Sequence, residues 1–141
     1  MNRGERGQSV VELALLLPVL LLIFLGTTDF GRVYFAKVAI TNAARVGARY
    51  GSLNPDAGNL IVSRTVEETA KTVSLQPTDV QVTCDNGACN MYSEWISVET
   101  QYQFQTLFFS NLAFVRDFFP PDGSVTVRAS AIVPVTLPFH G

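Results

Sequence analysis

Gly7-Gln8-Ser9-Val10-Val11-Glu12-Leu13 opens the stretch that decides the fold, and Ala14-Leu15-Leu16-Leu17-Pro18-Val19-Leu20-Leu21-Leu22-Ile23-Phe24-Leu25 completes it. A carboxylate at the mouth of so apolar a run is expensive to hold in hydrocarbon and needs a functional reason. No charge occurs from Leu13 through Thr28. As a helix that run covers about 24 Å, against about 30 Å of bilayer hydrocarbon. Val10 and Val11 lengthen it if Glu12 is tolerated, which sets a spanning segment at about residues 10–28. Pro18 would damage a helix in water, but in a membrane local adjustment re-satisfies the freed carbonyl. A cleavable secretory signal is the rival reading, since Arg3 and Arg6 make the preceding stub basic. The run is long for a signal core, and no small-x-small site follows it before the helical pattern resumes at Phe30. The helix therefore reads as retained.

Working toward the N-terminus, Glu12 has two readings. In the bland one its side chain lifts the carboxylate to the headgroups and does nothing more. In the sharper one residues 1 to 7 are removed and a new ammonium appears at Gln8. That ammonium and Glu12, one helical turn apart or on adjacent subunits, neutralise each other in low dielectric and set the axial register of packed helices. Gly7 suits such a cut, because a protease binds the scissile bond extended and glycine gives that freedom. Gly4 suits it less, since the fifth residue beyond it is Ser9. Arg3, Arg6 and the amine favour a cytoplasmic N-terminus, whereas Arg32, Lys37, Arg45 and Arg49 pull the other way, so charge alone leans only slightly N-in. A cysteine pair able to close a hairpin favours an oxidising space for the C-terminal part.

Working toward the C-terminus, the helix is expected to continue to about residue 50. Asp29 and Arg32 are spaced to pair on one face. Ala36, Ala39, Ala43, Gly47 and Gly51 recur at spacings of three and four, with a second line through Ala44 and Ala48. Small residues in a row let another backbone come close; that backbone belongs either to the chain's own sheet or to other subunits. Gly51-Ser52-Leu53-Asn54-Pro55 ends the helix. A second helix is expected over about Ala57 to Ser74, capped by Asn54 or Asp56. Val62, Val66, Ala70 and Val73 form its apolar face, and Glu67 pairs with Lys71. Strands follow at Val80-Val82-Cys84, at Ile96-Val98-Thr100-Tyr102-Phe104 and over Ser124 to Val133. An antiparallel sheet packed on the first helix is the simplest assembly.

Cys84 and Cys89 flank Asp85-Asn86-Gly87-Ala88 and are the disulfide candidate. Phe108, Leu112, Val115 and Phe119 could lie along a short amphipathic helix, as core filler or as an exposed patch for a partner.

Composition bounds the function. The chain has 141 residues, 48% hydrophobic and only 16% charged, with a net charge of −2. Mixed charges and no basic stripe argue against nucleic-acid binding. Two cysteines and one histidine, His140, are too few for a His/Cys metal site, and no cofactor motif occurs. No nucleophile has a base at recognisable spacing, and no glycine loop would cradle a phosphate, so an enzyme is not expected.

Arg6-Gly7-Gln8-Ser9-Val10-Val11-Glu12-Leu13-Ala14-Leu15, with Leu17-Pro18 and then Gly26-Thr27-Thr28-Asp29-Phe30-Gly31-Arg32, strongly resembles the TadE-like family. These are minor pilins or pseudopilins of the tight-adherence (Tad/Flp) branch of type IV pilus systems. The likeness covers roughly the first third of the chain and departs from the usual pilin signal at Leu13, where an aromatic is common. It implies cleavage between Gly7 and Gln8 by a membrane prepilin peptidase. It also implies a pilin glutamate's role for Glu12, and assembly with other pilin subunits and the inner-membrane pilus machinery. The chain would cross the inner membrane once, stub in the cytoplasm and head outside, and pass into the pilus.

The resulting expectation is an α+β, pilin-like fold. Residues 1–7 are a cytoplasmic leader, 8–50 a long helix whose first half spans the membrane, and 51–141 an extracytoplasmic head. Ala36, Ala39, Ala43 and Gly47 are its helix-packing residues. The competing expectation is an uncleaved single-pass protein with an extracytoplasmic interaction head.

Overall fold

The computed structural model describes residues 3–108 and 123–136, with side chains from residue 8 onward. The fold is α+β: a long N-terminal helix and a small antiparallel sheet. Helix α1 runs Arg3–Leu53 and helix α2 runs Gly58–Thr69, followed by a single 3-10 turn at Pro77–Asp79. Strands β1 (Val80–Cys84), β2 (Trp95–Gln105) and β3 (Ser124–Pro134) lie side by side in that order. The chain divides into two units. One is Met1–Arg32 with Thr106–Ser124; the other is Val33–Gln105 with Val125–Gly141.

In the second unit the sheet is registered by its apolar face. Val80 stands opposite Thr100, Val82 opposite Val98 and Cys84 opposite Ile96. These are the positions that the period-two alternation marks, and Ile96, Val98, Thr100 and Phe104 are buried while Glu99, Gln103 and Gln105 are exposed. Val127 and Ala129 of β3 join them, with Val125, Ala131 and Val133 partly covered. Against this face lies the second half of α1, whose Ala36, Ile40, Ala43, Ala44 and Ala48 are buried.

The small-residue line on α1 is what permits the approach. A Cβ on Gly47 would collide with Thr65 Oγ1 of α2, and one on Gly51 would stand 2.6 Å from Ile96 Cδ1. Ala36, Ala43 and Gly47 are thus buried and Ala39 half-buried, all within the chain's own head. Thr100 adds a polar tie at the same contact. Its hydroxyl lies 3.3 Å from the Ile40 carbonyl of α1 and 3.2 Å from the Ala129 carbonyl of β3.

Helix α2 departs from its expected form in three ways. It ends at Thr69 rather than near Ser74, and Val73 and Leu75 enter the core from non-helical backbone. Its buried face is Ile61, Thr65 and Thr69, one position off the Val62-Val66-Ala70 line, with Val62 and Val66 flanking it. Threonine takes those places because each hydroxyl donates within its own helix, Thr65 to the Ile61 carbonyl at 2.8 Å and Thr69 to the Val66 carbonyl at 2.9 Å. A buried hydroxyl so satisfied carries no desolvation penalty of the unpaired kind. Third, Ala57 stands at the N-cap with no side-chain cap, and Glu67 pairs with Arg64 at 3.4 Å, since Lys71 lies beyond the last turn.

Between β1 and β2 the chain is held locally. Cys84 and Cys89 form a disulfide with Cα atoms 5.2 Å apart. Gly87, at φ 78°, takes the left-handed conformation that the turn requires. The Glu94 amide donates to Asp85 Oδ1 at 3.1 Å, and Asn90 Oδ1 accepts from the Tyr92 amide at 2.8 Å. Closing so short a ring removes unfolded-state entropy worth about 2 kcal/mol. Reducing the bond is therefore expected to lower head stability by about that amount, read as a drop in urea midpoint at unchanged slope.

The proposed amphipathic helix through Leu112, Val115 and Phe119 lies outside the described residues, as does His140.

Candidate functional site

In the first unit, α1 is apolar and bare. Every side chain from Gln8 through Phe24 is exposed. Leu15 is 71% exposed and Phe24 68%, values that water would not leave uncovered over several turns. The helix is long and apolar enough to cross a membrane. Pro18 sits inside it without ending it. The hydroxyls that close the apolar run are satisfied within the helix, Thr27 donating to the Ile23 carbonyl at 2.7 Å and Thr28 to that of Phe24 at 2.9 Å. Such back-bonded hydroxyls enter hydrocarbon at little cost.

Glu12 is exposed on this helix, and among the described residues no cation or donor stands against it. Gln8, also exposed, lies one turn earlier, about 6 Å along the axis. The backbone through Gly7 and Gln8 is helical, so this bond is not displayed as an extended strand.

At the other end of the run the structure shows what the sequence did not. Asp29 is 1% exposed, although it sits on the helix just past Thr28. Its carboxylate accepts from two consecutive backbone amides, Leu107 at 3.3 Å and Phe108 at 3.0 Å. Arg32 Nη1 lies 3.7 Å from the same carboxylate, the pairing that the spacing predicts. Next to this contact Thr106 is fastened to the Gly123 carbonyl twice, by its amide at 3.1 Å and its hydroxyl at 2.8 Å. The available signal was a charge abutting an apolar run. Sequence spacing identified Arg32 but had no access to amides 78 and 79 residues away.

In the second unit a polar trough of about 480 Å³ is lined by Thr78, Asp79, Gln81, Glu99, Gln101 and Arg128. Among the described residues no group of three His, Cys, Asp or Glu side chains could hold a metal ion.

An apolar, uncovered N-terminal helix that continues into an antiparallel-sheet head defines a class: α+β proteins with, among the described residues, one helix long and apolar enough to cross a membrane. Residues 7–49 match the family model described as TadE-like protein, so that segment is similar to TadE-like proteins, in agreement with the resemblance carried by its residues. The match starts at Gly7 and ends within α1, leaving α2 and the sheet outside it. No curated protein and no solved structure matches the chain.

Proposed function

We propose that the chain is a minor pilin or pseudopilin of a Tad/Flp pilus, trimmed between Gly7 and Gln8 by a membrane prepilin peptidase. It acts as a building or priming subunit and carries out no catalysis of its own. The observation that carries this reading is a bare apolar helix bearing one exposed carboxylate, Glu12, a turn beyond Gln8. Trimming would place an ammonium at Gln8, beside the positive end of the helix dipole, where it is unfavourable alone. Glu12 offsets it, on the same helix or on a neighbour, in a medium where an unpaired charge is costly.

The mechanism is mechanical. The precursor waits in the inner membrane with its leader in the cytoplasm and its head outside. Assembly moves the apolar helix from lipid into a bundle of like helices, where it joins other subunits. Lipid contacts become protein contacts, so the Leu-rich surface stays out of water and its hydrophobicity does not block extraction.

The test is the intact mass of membrane-derived protein from hosts with and without the peptidase. The expected result is a chain starting at Gln8 in the first and at Met1 in the second. A chain starting at Met1 in both puts the uncleaved, single-pass protein with an interaction head ahead. One observation favours that second reading: α1 passes unbroken through the Gly7–Gln8 bond.

A further inference from the structure

The buried carboxylate of Asp29 has no part in trimming or in the Gln8–Glu12 pairing. We propose that it fastens the segment Thr106–Phe108 to the end of the membrane run, and that this segment is a second lipid contact seated at the headgroup boundary. The inference rests on the reading of α1 as a membrane span.

The spacing of charges leaves the span short, since the uncharged residues Leu13 through Thr28 cover about 24 Å of a hydrocarbon layer about 30 Å thick. Asp29 would ordinarily mark the limit. Here its charge is withdrawn: two amides and Arg32 surround it, and it is 1% exposed. A carboxylate so supplied with donors meets lipid headgroups at far lower cost than a bare one. The neighbouring surface is apolar. Phe30 is 71% exposed and Leu107 is 54% exposed, in the same unit as the bare helix. Arg32, 44% exposed, supplies a cation of the kind that sits among phosphates. Past the hydroxyls of Thr27 and Thr28, exposed apolar side chains recur at Phe30, next to Asp29, and at Leu107, whose amide Asp29 holds. Exposed apolar side chains at the end of a lipid-facing helix, beside an arginine, fit the lipid boundary.

The experiment uses the full chain in phosphatidylcholine vesicles, with Trp95→Phe removing the single native tryptophan. One variant then carries Leu107→Trp and another carries Phe24→Trp. Emission is measured with bromines placed either near the glycerol end of the acyl chains or near their terminal methyls. The expected result is that Leu107→Trp loses about half its emission to the shallow bromines and little to the deep ones, as for an interfacial side chain. Phe24→Trp is quenched as the span requires. Adding Asp29→Ala is expected to abolish quenching of Leu107→Trp while leaving that of Phe24→Trp, with amide protection at Val82 and Val98 reporting an intact sheet. An unquenched Leu107→Trp beside a quenched Phe24→Trp overturns the lipid contact alone. Loss of quenching at both positions overturns the membrane reading on which it stands. Persistent quenching at Leu107→Trp after Asp29→Ala overturns the fastening role of Asp29.

Discussion

Glu12→Val is expected to be trimmed normally and still to enter filaments about a hundredfold less than the parent chain. The magnitude follows from stranding one charge. Removing one partner of a buried pair costs about 3 kcal/mol or more, and 1.4 kcal/mol is a factor of ten in an equilibrium. After trimming, the Gln8 ammonium would sit at the first turn of α1 with no counter-charge of its own, because Glu12 is the only acidic residue between Gln8 and Thr28. Glu12→Gln separates charge from shape and is expected to fail almost as badly. The measurement is the amount of subunit in sheared filaments relative to the membrane pool, with intact mass reporting the cut. Normal incorporation of the valine variant would remove the charge pair from the mechanism. Normal mass with poor incorporation would locate the defect after the peptidase.

The second large effect concerns the head, and its sign differs between two glycines of the same helix. Replacing glycine by alanine in a helix interior ordinarily gains about 1 kcal/mol. At Gly31 a new Cβ meets nothing within 4 Å, so Gly31→Ala is expected to be neutral or mildly stabilising. At Gly47 the new Cβ runs into Thr65 Oγ1. That oxygen cannot swing away cheaply: threonine is stiff at χ1, and its hydroxyl is engaged with the Ile61 carbonyl at 2.8 Å. Either α2 backs off or a fully buried hydroxyl loses its acceptor. Overpacking costs about 1–3 kcal/mol, and an unsatisfied buried polar group about as much again. The expected net loss for Gly47→Ala is about 2 kcal/mol. Urea unfolding of the detergent-solubilised chain, followed by the emission of Trp95, distinguishes the two variants. Equal midpoints would mean that α1 and α2 do not make the close contact described.

These two glycines also show what sequence could and could not disclose. The continuous helix was legible because its signals are local: an uncharged run, then small residues at helical spacing, then Gly51 through Pro55. The alternation of Ile96 to Phe104 was legible for the same reason, and it set which face of β2 is buried. The offset of α2 was not, because hydropathy ranks valine above threonine. Only the hydroxyl's bond to its own helix makes Thr65 and Thr69 suitable for the core. Nor was it decidable from spacing whether Ala36, Ala43 and Gly47 meet their own sheet or another subunit; their burial in the head shows that much of this face is already occupied. At the candidate site the residues of the span and Glu12 announce themselves. The partners of Asp29 do not, since backbone amides leave no mark in a sequence and their pairing depends on long-range chain closure.

The strand order leaves β1 and β3 as the outer members of the sheet among the described residues. An outer strand offers free main-chain groups to any passing chain and so invites uncontrolled stacking. In β3 one of those groups is already taken, because the Lys37 ammonium of α1 donates to the Arg128 carbonyl. A charged side chain at the margin and a proline at the strand's end, Pro134, both discourage a further strand from adding there. Sheet extension at the β3 edge is thereby handicapped, which suits the proposed joining of copies through their apolar helices rather than through their heads.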